Sequence, residues 1–183
     1  MNKALLLLIF FCSFGYGQKL IVTPDGFKNE VDTEKSYVVI NVEGKTAKQL
    51  YDAALKYIHK TYQNPDNVLK GNITDEYIKF VTHATNFITI KNSFVNTPFS
   101  TDYTCELSFK DGKVKLEIPS IAMYDKGDFK LLFKGQGAFS GYYIYNNKNE
   151  LKRKDAKEFI ENYFNLQIEN ISNSLLNKSD EKW

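Results

Sequence analysis

Four groups of residues carry side chains suited to chemistry. Gly44-Lys45-Thr46 follows an apolar run at residues 36–42 and opens a helical pattern. A nucleotide-binding P-loop ends in those residues at that junction. It also needs a glycine five residues before its Gly-Lys pair, where this chain has Val39. Without that glycine the backbone N–H groups cannot curl around a phosphate, which argues against an NTPase. Gly135-Gln136-Gly137-Ala138-Phe139-Ser140-Gly141 nearly forms a dinucleotide fingerprint, but Ser140 stands in the place of the third glycine. It is not a Gly-x-Ser-x-Gly nucleophile elbow either, since Ala138 replaces the first glycine. "YYIY" follows and reads as a strand, so this stretch is expected to be a loop or a bulged strand entry. The histidines, His59 and His83, are isolated, and no Cys-x-x-Cys or His-x-x-x-His metal spacing occurs. Cys105 alternates with Tyr103 and Leu107, as a small buried hydrophobe does. A dyad with either histidine would have to come from the fold. No catalytic residue, metal ligand or cofactor is assigned.

The remaining group is a facing pair, Glu106 and Glu117. Its register comes from "YTCELSFKDGKVKLEI". Asp111-Gly112 is expected to form a two-residue type I′ turn. Phe109 then faces Val114, Leu107 faces Leu116, and Cys105 faces Ile118, all on one side of a sheet. The other side pairs Ser108 with Lys115 and Glu106 with Glu117. Like charges facing each other across strands destabilise mildly. Two readings stay open: a wet face screened by Lys115 and Lys110, or a cation or ligand site with Ser108 and Thr104 beside it. Tyr142, Tyr143 and Tyr145 add a candidate aromatic surface for a sugar or peptide, with Tyr143 the residue placed in the site. Lys152-Arg153-Lys154 reads either as a polyanion contact or as a solvated helix entry beside Asp155 and Glu158.

These residues need a frame. The 183 residues, 43% hydrophobic and 15% aromatic, suffice for one domain with a core. Residues 18–35 read as an N-terminal arm with a turn at Pro24-Asp25-Gly26. A strand at 36–42 leads to Thr46-x-x-Gln49, a capping box. Leu50, Tyr51, Ala54, Leu55, Ile58 and Tyr62 then form one helical stripe, ended by Asn64-Pro65-Asp66. Residues 67–74 and 76–91 are extended, and 92–102 reads as a loop or irregular edge. Strands are expected near 129–133 and 142–145. A long closing helix starts with Asp155 as its cap. It carries Ala156, Phe159, Ile160, Tyr163, Phe164, Ile168, Ile171 and Leu175 on one stripe. Isolated helices of this kind are marginal in water, so both stripes must cover one surface, the side with Leu107 and Leu116. The expected fold is α+β, a two-layer sandwich: an antiparallel sheet with two helices on one face, in the order β-α-β-β-β-β-α.

The strand, glycine turn and Leu50-Tyr51-x-x-Ala54-x-x-Tyr57-Ile58, with the closing Lys154-Asp155-Ala156-x-x-Phe159-Ile160, resemble a family of secreted bacterial proteins of unknown function. That family has a TATA-binding-protein-like (TBP-like) fold. The resemblance implies a curved sheet with both helices on one side over a single domain, residues 36–178. It implies no activity and no catalytic residues.

The N-terminus reads as an export signal. Met1-Asn2-Lys3 is a short positive start, and residues 4–14 are an apolar run about 16 Å long as a helix, against about 30 Å of hydrocarbon. Gly15-Tyr16-Gly17 supplies small residues for cleavage before Gln18, so residues 1–17 are expected to be a signal peptide. Phe11 before Cys12 argues against lipidation. Cleavage removes Cys12 and leaves Cys105 without a disulfide partner. The expected location is secreted or periplasmic, with no transmembrane segment in the mature chain. A net charge of +2 gives little field for nucleic acid. Two function classes remain open. One is a non-catalytic binding or interaction module of the cell envelope, its surface at Glu106, Ser108, Lys115, Glu117 and Tyr143, its partner another envelope protein or a glycan or peptide. The other is a small envelope hydrolase with dispersed catalytic residues. The absence of nucleophile–base or metal spacing favours the first.

Overall fold

A computed structural model describes residues 17–92, 95–127, 129–137 and 141–176. The expected signal peptide up to Tyr16, Ser140 and the last two residues of the expected domain, 177–178, lie outside them.

The chain opens with a hairpin, β1 (Leu20–Thr23) and β2 (Gly26–Asn29). It continues through β3 (Tyr37–Asn41), α1 (Ala47–Thr61), the single turn α2 (Pro65–Val68) and β4 (Leu69–Ile73). Three long strands follow, β5 (Tyr77–Lys91), β6 (Asn96–Lys110) and β7 (Lys113–Tyr124). The short strands β8 (Lys130–Lys134) and β9 (Tyr142–Tyr145) lead to α3 (Lys154–Leu175). The main sheet runs β4-β5-β6-β7-β8-β9, with β3 also paired to β7. All of its pairs are antiparallel except β8–β9. The α+β two-layer sandwich is therefore present, with both helices over the face that carries Leu107 and Leu116.

Thr46 caps α1 as expected: its hydroxyl accepts the Gln49 N–H and the Gln49 side chain accepts the Thr46 N–H. Lys45, the would-be phosphate ligand, donates through Nζ to the carbonyl of Leu175. It closes the negative end of α3, a role that suits a cation. The Gly-Lys-Thr run is structural. The α3 start differs from expectation. Arg153 occupies the N-cap without a side-chain cap bond, and Asp155 lies inside the first turn, where the helix dipole favours a carboxylate.

The Asp111-Gly112 turn holds the expected pairs Phe109–Val114 and Leu107–Leu116. Its type differs. Only Gly112 has positive φ, +74°, whereas a type I′ turn needs it at both residues. The cause is tertiary. The Gly112 N–H donates to the Lys45 carbonyl, its own carbonyl accepts from Val42 N–H, and Asp111 Oδ1 accepts from Ala47 N–H at the start of α1. The turn is shaped to dock on the β3–α1 loop.

Two bulges change register. Glu106 pairs with Glu117 but Thr104 pairs with Ser120, so Ile118 and Pro119 oppose Cys105 together. The simple Cys105–Ile118 pairing fails because Pro119 has no N–H for the ladder. On β5 the register slips between Ala84 and Ile88, around Asn86 at φ +51°. Phe87 and Ile88 are then both buried.

The segment at residues 92–102, expected as a loop, is largely strand. Pro98 fits in β6 because β7 reaches only to Ser100, leaving that edge of β6 free. The N-terminal arm is a hairpin packed into the core. Leu20, Val22 and Phe27 are at most 5% exposed. Asn165 of α3 accepts the Leu20 N–H and donates to its carbonyl, and Glu161 accepts the Val22 N–H.

Candidate functional site

The face of the sheet opposite the helices presents side chains in rows across β5, β6, β7 and β3. One row runs Lys79, Glu106, Glu117, Tyr37, and the next runs Tyr77, Ser108, Lys115, Val39. Four of the expected site residues, Glu106, Ser108, Lys115 and Glu117, are thus adjacent. Glu106 and Glu117 are 19% and 22% exposed, and each has its own cation: Lys79 Nζ lies 3.4 Å from Glu106 and Lys115 Nζ 3.0 Å from Glu117. Lys115 also sits 5.5 Å from the centre of the Tyr37 ring. Lys110 takes no part; it pairs with Lys113 at the turn. The facing carboxylates are therefore neutralised within the sheet, by Lys79 where Lys110 was expected. Among the described residues no three His, Cys, Asp or Glu side chains converge as metal ligands.

Tyr143 does not join them. It stands on β9 opposite Leu132, and β9 reaches β7 only through β8, at the far end from Glu117. Tyr142 packs edge-on against Phe99 at 5.1 Å and hydrogen-bonds Thr97, while Tyr145 is buried with its hydroxyl donating to the Val22 carbonyl. The three tyrosines form no shared aromatic surface, because strand alternation turns Tyr142 away from Tyr143 and Tyr145, and the hairpin buries Tyr145. The basic run is also engaged. Lys152 pairs with Glu150, Lys154 with Glu158, and Arg153 lies over the Tyr142 ring.

Burial pushes the Cys105 thiol well up, with Glu106 and Glu117 adding to the effect. A buried thiol that holds its proton is a poor nucleophile. The Tyr77 phenol is pushed up to about 12, first by burial and then by its hydrogen bond to Glu106. The folded chain binds this proton more tightly than the unfolded one, whose phenols titrate near about 10. Its contribution to stability is complete below pH ~10 and lost as pH rises through ~12. A tyrosinate absorbance titration should show this late ionisation, and Glu106→Gln should bring part of it to lower pH. An unchanged titration in that variant would refute the Tyr77–Glu106 link.

Sequence reasoning missed a second cluster on the same face. His83 Nδ1 lies 2.8 Å from Asp102 Oδ1, and His83 Nε2 lies 3.1 Å from Thr85 Oγ1. The Tyr124 hydroxyl donates to Asp102 Oδ2 at 2.7 Å. A hydroxyl, an imidazole and a carboxylate thus stand in line, the order used to activate an alcohol nucleophile. His83 and Asp102 are each 48% exposed. The signal was His83-x-Thr85, two same-face positions of one strand. Asp102 became its neighbour only because β6 extends back to Asn96.

With this geometry in place, likeness to known proteins can be stated. Residues 37–124 match the family described as "Domain of unknown function (DUF4468) with TBP-like fold". Those residues of the chain belong to that family. The DUF4468 domain runs from β3 through β7 and contains every residue of the two open-face clusters. Tyr143, the β1–β2 hairpin and α3 lie outside it. A crystal structure of a DUF4468 family protein from Bacteroides ovatus ATCC 8483 is similar at TM-score 0.54 and 15% identity. It covers 77% of this chain and 87% of that one. A TBP-like protein from Parabacteroides distasonis ATCC 8503 is similar at TM-score 0.53 and 12% identity, over 77% and 91% of the two chains. At these identities the likeness concerns the fold. No curated protein sequence matches the chain.

Proposed function

We propose that the protein is an exported, non-catalytic binding or interaction module of the cell envelope whose contact surface is the open face of the sheet. The observation that carries this reading is the uncovered array at Glu106, Ser108, Lys115 and Glu117. Its charges are held in fixed geometry by in-sheet ion pairs, and both long helices of the described residues lie on the other face. Ordered side chains lose less entropy on binding than free ones. A partner with alternating charge, either an envelope protein or a glycan or peptide with matching hydrogen-bond groups, fits such a surface. Export is supported by the order of charge, apolar run and small residues before Gln18. No helix among the described residues is long and apolar enough to cross a membrane.

A combined test is direct. Fractionated cells should yield protein beginning at Gln18 outside the cytosol. Protein immobilised and exposed to envelope extract and to a glycan panel should retain a partner that the Glu106→Gln, Glu117→Gln variant binds about tenfold more weakly. Equal retention by the variant removes the open face from the reading, and full-length cytosolic protein removes the export. The Thr85–His83–Asp102 line favours a second reading, the envelope hydrolase. Turnover of an ester or peptide panel that His83→Gln abolishes would replace the first reading with it.

A further inference from the structure

The outer edge of β7 has a gap. β3 pairs with it from Lys113 to Glu117, and β8 pairs at Met123 and Tyr124. Between these, residues 118–122 have β6 on one side and, among the described residues, no strand on the other. At about 3.3 Å per residue the gap is roughly 16 Å long. An antiparallel strand directs the N–H and C=O groups of alternate residues to each side, so those on the outer side here lack a ladder partner. β8 causes the opening. Its pairing with β7 ends at Leu131, while its other edge pairs in parallel with β9.

The gap opens into a cleft of about 530 Å³. That lies within the roughly 300–1,000 Å³ typical of ligand sites. The turn of the β1–β2 hairpin forms one wall, and Phe133 of β8 forms another. Phe27 and Phe133 meet edge to face at 5.4 Å, and with Ile121 they make an apolar floor. Ser36 and Ser120 add hydroxyls, and Asp25 and Glu117 add carboxylates. No Lys or Arg lines the cleft, although the chain as a whole carries a net charge of +2.

We propose that this cleft binds an extended basic peptide segment as an added strand along residues 118–122 of β7. Unpaired strand backbone selects a partner with strand-spaced donors and acceptors, which a peptide has and a compact metabolite lacks. Pro119 can offer only its carbonyl, so the ladder forms chiefly at residues 120–122. Alternate residues of the guest would place one side chain on Phe27 and Phe133, and a lysine or arginine would meet Asp25, next to Glu117, which Lys115 already pairs. The site shares Glu117 with the open face, whereas Asp25, Ser120 and Phe133 belong to the cleft alone. The DUF4468 domain supplies the strand, and the hairpin and β8 supply the walls.

The probe is a blocked hexapeptide of alternating lysine and valine, added to the purified protein and followed by NMR amide hydrogen exchange. Binding should slow exchange about tenfold at those amides of residues 120–122 that point away from β6, as expected for groups newly paired in a ladder. A glutamate–valine peptide should bind about tenfold more weakly, and so should the lysine–valine peptide to the Asp25→Lys variant. A lysine peptide with N-methylated valines should give no protection. Glu106→Gln, which disturbs the open face, should leave all of this unchanged, so loss of this site and loss of the open-face reading are separable. Protection confined to the free edges of β3 or β4 overturns the proposal, and so does equal binding of the glutamate peptide. Protection that rises with protein concentration in the absence of peptide assigns the cleft to a second copy and also overturns it.

Discussion

Phe164→Ala is expected to lower the unfolding free energy by about 3–5 kcal/mol, the range for a buried phenylalanine truncated in a tight core. Phe164 is 0% exposed on the inner face of α3. Its ring meets Phe27 of the hairpin at 4.9 Å, Tyr103 of β6 at 4.9 Å and Tyr163 at 5.1 Å. Phe87, turned inward by the β5 bulge, lies 6.2 Å away. One side chain thus joins the hairpin, the helix and the sheet, three parts that can close the cavity only by moving together. Phe159→Ala on the same helix is the control. It is 42% exposed and touches Phe87 from the edge, so its loss should be much smaller. Urea denaturation of both variants measures the difference. Equal losses would mean that α3 does not hold the layers together through Phe164.

Asn29→Ala is the second large effect, expected at about 1–3 kcal/mol for the partners left unpaired. Asn29 is 2% exposed, a buried polar side chain at the end of β2. Its Nδ2 donates to the Tyr37 carbonyl and to Gln18 Oε1, and its Oδ1 accepts the N–H groups of Val31 and Asp32. Gln18 Oε1 in turn accepts the Val39 N–H. The amide therefore ties the hairpin, the following loop and the edge strand β3. Alanine removes the partner of two N–H donors and one carbonyl that meet in the space the buried Asn29 side chain fills. The loss should be local. Limited proteolysis should cut between residues 30 and 36 in the variant before the sheet unfolds. Cutting at the same sites in the unaltered protein would show that Asn29 does not hold this segment.

Both effects fall on elements that reading along the chain recovered only in part. The α3 stripe was legible because helical spacing is a local property, and Ala156, Ile160, Phe164, Ile168, Ile171 and Leu175 are indeed its buried face. The hairpin was read as an arm. Its strands are four residues each, too short for a period of two to stand out against mixed charge. The open-face register near Glu106 was legible from the Asp111-Gly112 turn. The Thr85–His83–Asp102 line was not, since it rests on the register of β5 with β6, which the Asp111-Gly112 turn does not set.

What this sequence determined alone is what neighbours along the chain enforce: the Thr46 capping box, both helical stripes and the pairing of Glu106 with Glu117. Short-range sterics and hydrogen bonds set these. The tertiary structure decided the rest, because it depends on which distant groups compete for the same backbone atoms. Gly112 took a different turn to bond Lys45, Pro119 shifted the ladder, and Lys79 came to Glu106 from another strand. The cleft beside β7 exists because β3 stops at Glu117 and β8 joins only at Met123 and Tyr124, end points that no local pattern encodes.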